Sequence, residues 1–246
     1  MSLSYFEIKP ITTHNKMKYG ICSLSVVAVY SSSSWTSEMC TQLLFGELIE
    51  VLERKGKQWL KIRCQSDNYI GWVKTNQITP ITPSEFELFK HRFAYCLDIT
   101  NPIMANDHFI PITIGARLPN FNGMQFRIAD ETYQFSGQAV YPSDIKPTID
   151  VIHKIARRYL YVPFLHGGRS PFGIDSAGLV QLVFQMIGVQ LPRATNQQVM
   201  FGDGIDFVDQ TQVGDLAFFE NRTGKVTHVG IVLEDKSIIH AHGKVQ

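Results

Sequence analysis

The sequence predicts an α+β chain in which an α+β C-terminal domain follows two small all-β barrels. Three observations carry this. From Gly20 to Val73, short strand patterns alternate with turn signals at close spacing, as in small barrels. Residues 94–145 are again rich in strand patterns. From Asp144 onward the character changes: two helix patterns, Thr148–Leu160 and 176–187, precede three strand patterns. The boundaries expected from these shifts are 1–80, 81–145 and 146–246.

In chain order, residues 1–15 read as an irregular lead-in. Cys22–Tyr30 is a strand of β-branched and small residues, and Ser31–Ser37 (SSSSWTS) is a polar loop. Glu38–Leu44 is a short segment punctuated by Gly46. Glu47–Glu53, Trp59–Arg63 and Tyr69–Val73 read as further strands, with a turn at Lys55-Gly56. Trp59 and Trp72 read as barrel core. Residues 74–93 form a connector with Pro80 and Pro83, in which SEFELFKHRF predicts one helix. Arg117-Leu118-Pro119 and Phe126-Arg127-Ile128 look like paired strand pieces, with Tyr133–Gly137 another. Thr148–Leu160 places Ile149, Ile152, Ala156 and Leu160 on one helix face. Asn196–Phe201 predicts a short helix. DLAFF at 215–219 reads as a buried strand, followed by strands THVGIVL at 227–233 and IIHAH at 238–242.

The composition excludes several classes. Hydrophobic content of 44% and charged content of 18% are those of an ordinary globular protein. A formal net charge of +1 offers no grip on nucleic acid or anionic membrane. No apolar run approaches the roughly 18 to 20 residues that span a bilayer. MSLSYFEIKP lacks a basic region followed by an apolar core, so no signal peptide is expected. The four cysteines, Cys22, Cys40, Cys64 and Cys96, form no CxxC pair; a zinc site is not expected, and buried small hydrophobes are. No metal or cofactor is implied.

The chemistry concentrates in 161–187, YVPFLHGGRSPFGIDSAGLVQLVFQMI. A loop of turn formers leads into an amphipathic helix with Val180, Val183, Phe184 and Ile187 on one face. Asp175 stands at the N-cap and Gly188 where the helix stops. Position 176 therefore sits at the positive end of a helix dipole, a setting that lowers a thiol pKa. The residue there is Ser176, and no cysteine follows Cys96. His228 opens one strand and His240 lies on the next. If those strands are antiparallel neighbours, a nucleophile, a base and an orienting group can converge. A serine behind a capping aspartate is also an ordinary first-turn residue, and a lone strand histidine is ordinarily structural.

GGRSPFGID–x–x–GLVQLVF, VGDLAFF, HVGIVL and IIHA resemble, in order and spacing, the motifs of the NlpC family of bacterial cell-wall cysteine peptidases. LLFGELIEVLERKGKQWLKI and the closing YIGWV resemble a bacterial SH3-like domain, and residues 94–145 resemble a second, more divergent one. The resemblance implies a papain-like C-terminal domain. It also implies the subgroup that cuts γ-D-glutamyl–diamino acid bonds of peptidoglycan stem peptides, whether outside the membrane or in cytoplasmic muropeptide recycling. It makes Ser176 the nucleophile position, His228 the base and His240 its orienter, with Glu38 and Tyr69 as amine-binding residues. Glu38 and Tyr69 read equally as ordinary surface residues.

The chain departs from that pattern at several positions. Ser176 replaces the nucleophilic cysteine. Ala177 replaces a serine that helps to hold substrate. Ala194 and Thr195 replace an Asp-Ser pair whose aspartate holds the substrate amine, and His166 replaces a tryptophan. Little or no peptidase activity is expected. The implied partner is a stem peptide or a related small peptide. One reading is a natural homologue that binds cell-wall peptides without cutting them; another is an active enzyme inactivated by an engineered Cys-to-Ser change. An SH3-like scaffold for a protein partner and an active serine peptidase are further readings. The chain stops shortly after IIHA, which is expected to leave a sheet edge that needs cover.

Overall fold

The computed structural model describes residues 17–205 and 207–246. The lead-in expected at 1–15 lies outside the described residues. Strands β1 (Tyr19–Ile21), β2 (Val26–Tyr30), β3 (Met39–Leu44), β4 (Leu48–Lys55), β5 (Trp59–Cys64), β6 (Ile70–Lys74) and β7 (Thr79–Ile81) form one antiparallel sheet in the order β3-β2-β6-β5-β4-β1-β7. It curls around Val27, Val29, Leu43, Leu60, Ile62 and Val73, which are buried together although they come from distant strands. The first strand is shorter than its sequence pattern: pairing starts at Val26, because Cys22 bonds instead to the backbone of Glu47 and Gly46.

Helix α1 (Pro83–His91) starts at a capping box: Thr82 Oγ1 accepts from Glu85 N–H, and the Glu85 carboxylate accepts from Thr82 N–H. Then come β8 (Phe93–Cys96), β9 (Thr100–Met104), β10 (Phe109–Thr113), β11 (Arg117–Pro119), β12 (Gln125–Ile128), β13 (Glu131–Gln134) and β14 (Ala139–Val140). These make two sheets, β10-β9-β13-β12 and β11-β8-β14. The two pieces expected to pair do not. Arg117–Pro119 pairs with Phe93–Tyr95, and Phe126–Ile128 pairs with 131–133 across a tight turn. A two-residue connection at Ala129-Asp130 makes the local hairpin the shorter closure.

Helix α2 (Ile149–Arg157) is capped by Thr148. A hairpin of β15 (Arg169–Ser170) and β16 (Gly173–Ile174) leads into α3 (Ser176–Met186), followed by α4 (Thr195–Gln198). Strands β17 (Leu216–Glu220), β18 (Val226–Val232) and β19 (Ile238–Ile239) form an antiparallel sheet, and β20 (Ala241–His242) and β21 (Lys244–Val245) a terminal hairpin. Three expectations are corrected here. Helix α3 is not amphipathic in place: every residue from Ser176 to Val183 is buried, because α2, β15, β18 and β20 pack around it. The DLAFF strand is not buried; β17 is an edge strand, half-buried at Leu216–Phe218 and exposed at Phe219 and Glu220. The strand expected over 238–242 breaks at His240, whose backbone turns to exchange two hydrogen bonds with Gln246. The last residues also pack back on the loop before β15, where Val245 bonds to Tyr161 and Val162, and β19 stays at the edge of its sheet.

The cores cross the boundaries suggested by the sequence. Leu44 of β3, Tyr95 and Ile114 are buried with α2, α3 and β18 in one cluster. Ile21, Phe45 and Leu48 join a second cluster with Phe126 and Tyr133. The first sheet thus packs against both following parts, which fixes it over the N-terminus of α3.

Candidate active site

Asp175 builds the site. Its extended backbone places the carboxylate over the start of α3, where Oδ1 accepts from Gly178 N–H at 2.7 Å. Oδ2 accepts from Gly167 N–H at 2.9 Å. Arg193 closes the group, donating from its two terminal nitrogens to Oδ1 at 3.0 Å and Oδ2 at 2.7 Å. Its Nε donates to Thr41 Oγ1 on β3 at 2.9 Å. One guanidinium therefore ties the cap of α3 to the first sheet through a bidentate, buried ion pair. Gln198 braces the same turn, donating to the carbonyls of Ala177 and Pro192.

The GGRS loop is fixed from the other side. Arg169 donates to both Glu47 carboxylate oxygens at 2.9 and 3.1 Å, to Gln42 O, and to Gln185 Oε1 on α3. Burial pushes the Glu47 carboxyl up, but the charge and hydrogen bonds of Arg169 outweigh this and hold it below the usual range. Gly167 has φ +75°, and a Cβ there would lie 2.4 Å from Met39 O.

Ser176 is thus held as the first residue of α3, 5% exposed, at the floor of a cleft of about 690 Å³. His228 faces the same cleft from β18. Its Nε2 lies 2.8 Å from His240 Nδ1. With Nε2 engaged, Nδ1 is the His228 nitrogen left to take a proton; in that role His228 carries its own proton on Nε2 and shares it with His240. Burial lowers the His228 pKa first, then the nearby His240 and His242. Burial and His242 lower that of His240. The cleft disfavours an imidazolium.

The residues singled out by sequence converge. Asp175, Ser176, Ala177, Ala194, Thr195, Tyr69, His166 and His228 line one cleft, with His240 behind His228. Glu38 stands at the rim, where its Oε1 lies 2.7 Å from His166 Nε2. Burial, followed by the Cys40 side chain, holds the Tyr69 phenol well above the ordinary tyrosine range. Sequence reasoning missed Arg193, Arg169, Lys225, His242 and the cleft position of Cys40. Three cysteines are buried as expected; Cys40 is half-exposed and lines the cleft. The one available signal was the buried Asp175 itself, which requires a cation that the sequence does not locate. Among the described residues no group of three or more His, Cys, Asp or Glu is arranged to hold a metal ion.

This geometry has relatives. The model of the NlpC/P60 family matches residues 161–246, and that of a bacterial dipeptidyl-peptidase Sh3 domain matches 29–78. A probable endopeptidase of Haemophilus influenzae is 30% identical over 118 residues, which cover 47% of this chain and 71% of that protein. The chain belongs to the NlpC/P60 family. A γ-D-glutamyl-L-lysine dipeptidyl-peptidase of Bacillus subtilis is 28% identical over 218 residues, 82% of this chain and 71% of that protein. The crystal structure of an NlpC/P60 family protein from Bacillus cereus superimposes with a TM-score of 0.81 at 19% identity, covering 93% of both chains. The papain-like α+β domain behind an SH3-like barrel is therefore the fold of this NlpC/P60 chain, which resembles cell-wall peptide endopeptidases.

Proposed function

We propose that this NlpC/P60 chain binds γ-D-glutamyl peptides of the cell-wall type and hydrolyses them poorly or not at all. The observation that carries this is Ser176 standing as the first residue of α3 in a cleft with the His228–His240 pair. A thiol of pKa about 8.5 is lowered further at a helix N-terminus, and the resulting thiolate stabilises an imidazolium beside it. A serine hydroxyl keeps its proton at neutral pH. His228, its pKa lowered by burial and by two imidazoles, is a weak base for that proton. His240 brings no carboxylate to hold the charge that would form.

The peptide reading draws on the γ-D-glutamyl-L-lysine peptidase among the relatives and on the cleft itself. Ser176, His228 and His240 are assigned the positions of nucleophile, base and orienter, Tyr69 and Thr195 those of ligand contact, Asp175 that of the buried cap that places Ser176, and His166 a place at the rim beside Glu38. The proposed layout is an SH3-like domain over 1–80, a linker helix and second, divergent SH3-like domain over 81–145, and an NlpC-type peptidase-like domain over 146–246. Isothermal titration of the chain with L-Ala-γ-D-Glu-L-Lys tests binding. A saturable, Tyr69-dependent isotherm is expected. Absence of binding at millimolar peptide contradicts the reading.

A further inference from the structure

The charges of the cleft are unevenly committed. Asp175 is the one carboxylate among its lining residues, and Arg193 grips both of its oxygens. Glu38, at the rim, is 2.7 Å from His166. Asp175 is thereby closed to a ligand's amine, and Glu38 is already engaged through one of its two oxygens. The cations are different. Lys225 enters the lining from the turn between β17 and β18. Among the described residues no carboxylate lies within 4.0 Å of its ammonium. The turn that carries it is well fixed, since Asn221 Oδ1 accepts from Thr223 N–H at 2.9 Å and Lys225 N–H at 3.0 Å. His228 and His242 add two imidazoles to the same wall.

A peptide amine entering this cleft meets no open carboxylate among the lining residues, and at the rim it competes with His166 for Glu38. A peptide carboxylate meets an unpaired ammonium at the exposed mouth of the cleft, where the charge attracts it although water screens it. A γ-linked glutamate supplies such a group, because linkage through its side chain leaves the α-carboxylate free. We propose that the cleft selects its peptide by a carboxylate docked on Lys225, while His166 withholds Glu38 from the peptide's amino terminus. This rests on the γ-glutamyl reading and deepens it: the ligand class is an acidic peptide whose amino terminus can be blocked.

The test is isothermal titration of the chain with three peptides: L-Ala-γ-D-Glu-L-Lys, its N-acetyl form, and its form with the glutamyl α-carboxylate converted to carboxamide. The N-acetyl form should bind within about threefold of the parent, and the carboxamide about tenfold or more weaker. Lys225→Met, at an exposed turn, should erase the carboxamide penalty. His166→Ala should free Glu38 and raise the affinity for the free-amine form over the acetylated one. Equal binding of carboxylate and carboxamide overturns the proposal, as does a carboxamide penalty that survives Lys225→Met, or a loss of about tenfold or more on acetylation. If none of the three binds at millimolar concentration, the γ-glutamyl reading itself fails. If all bind alike, that reading stands and the role of Lys225 does not.

Discussion

His228 Nε2 and His240 Nδ1 meet at 2.8 Å, edge to face, with no carboxylate in the pair. Two imidazoles that share one hydrogen bond must share one proton between the facing nitrogens. Adding a second proton breaks that bond and sets like charges in a partly buried place. Burial, then His240 and His242, lower the His228 pKa, and burial, then His242, lower that of His240.

The first prediction concerns acid. Folding lowers these imidazole pKa values below the ordinary value of about 6.5, so their contribution to stability is full above that pH and is lost as pH falls through the folded-state values. Urea midpoints should decline between pH 7.5 and pH 5. His240→Gln, which removes one imidazole and relieves His228, should flatten that decline. An unchanged acid slope in the variant contradicts the coupling.

The second concerns Glu47 and Arg169, a pair 2–3% exposed that joins the first sheet to the loop before α3. Glu47→Gln leaves a buried guanidinium without its counter-ion and should cost about 3–5 kcal/mol in urea unfolding. Adding Arg169→Met should recover part of that loss, because the uncompensated charge goes with it. Strictly additive losses contradict a direct pairing.

The third concerns Gly167. A side chain there meets the Met39 carbonyl, and φ +75° is costly for any other residue. Gly167→Ala should lower stability by about 1–3 kcal/mol and loosen the Asp175 cap, seen as faster amide exchange at Gly178. An exchange rate equal to that of the parent removes the loop from the positioning of α3.

Much of this was legible in the sequence because the signals were local. The Asp175 cap, the Gly188 stop and the order of the HVGIVL and IIHA strands follow from short patterns, and with them Ser176 and His228 lining one cleft and His240 pairing with His228. What was not legible depended on long-range partners. Arg193 and Arg169 find their carboxylates 18 and 122 residues away. Helical period suggests one buried face for α3, but packing on several sides buries every residue of it except the half-buried Phe184, Gln181 and Gln185 included. The pairing of Arg117–Pro119 with Phe93–Tyr95 is equally invisible to alternation, since the pattern shows which face is buried and not which strand lies alongside. Lys225 is an ordinary turn residue until the fold sets it at the mouth of the cleft.

The most direct measurement is cleavage of L-Ala-γ-D-Glu-L-Lys by this chain and by Ser176→Cys, with the His228 titration followed by NMR in both. The chain itself should turn over at least on the order of 10³-fold more slowly than the cysteine variant, whose thiolate should also raise the His228 pKa. Equal turnover by the two, abolished by Ser176→Ala, would make Ser176 a working nucleophile and contradict a disarmed site.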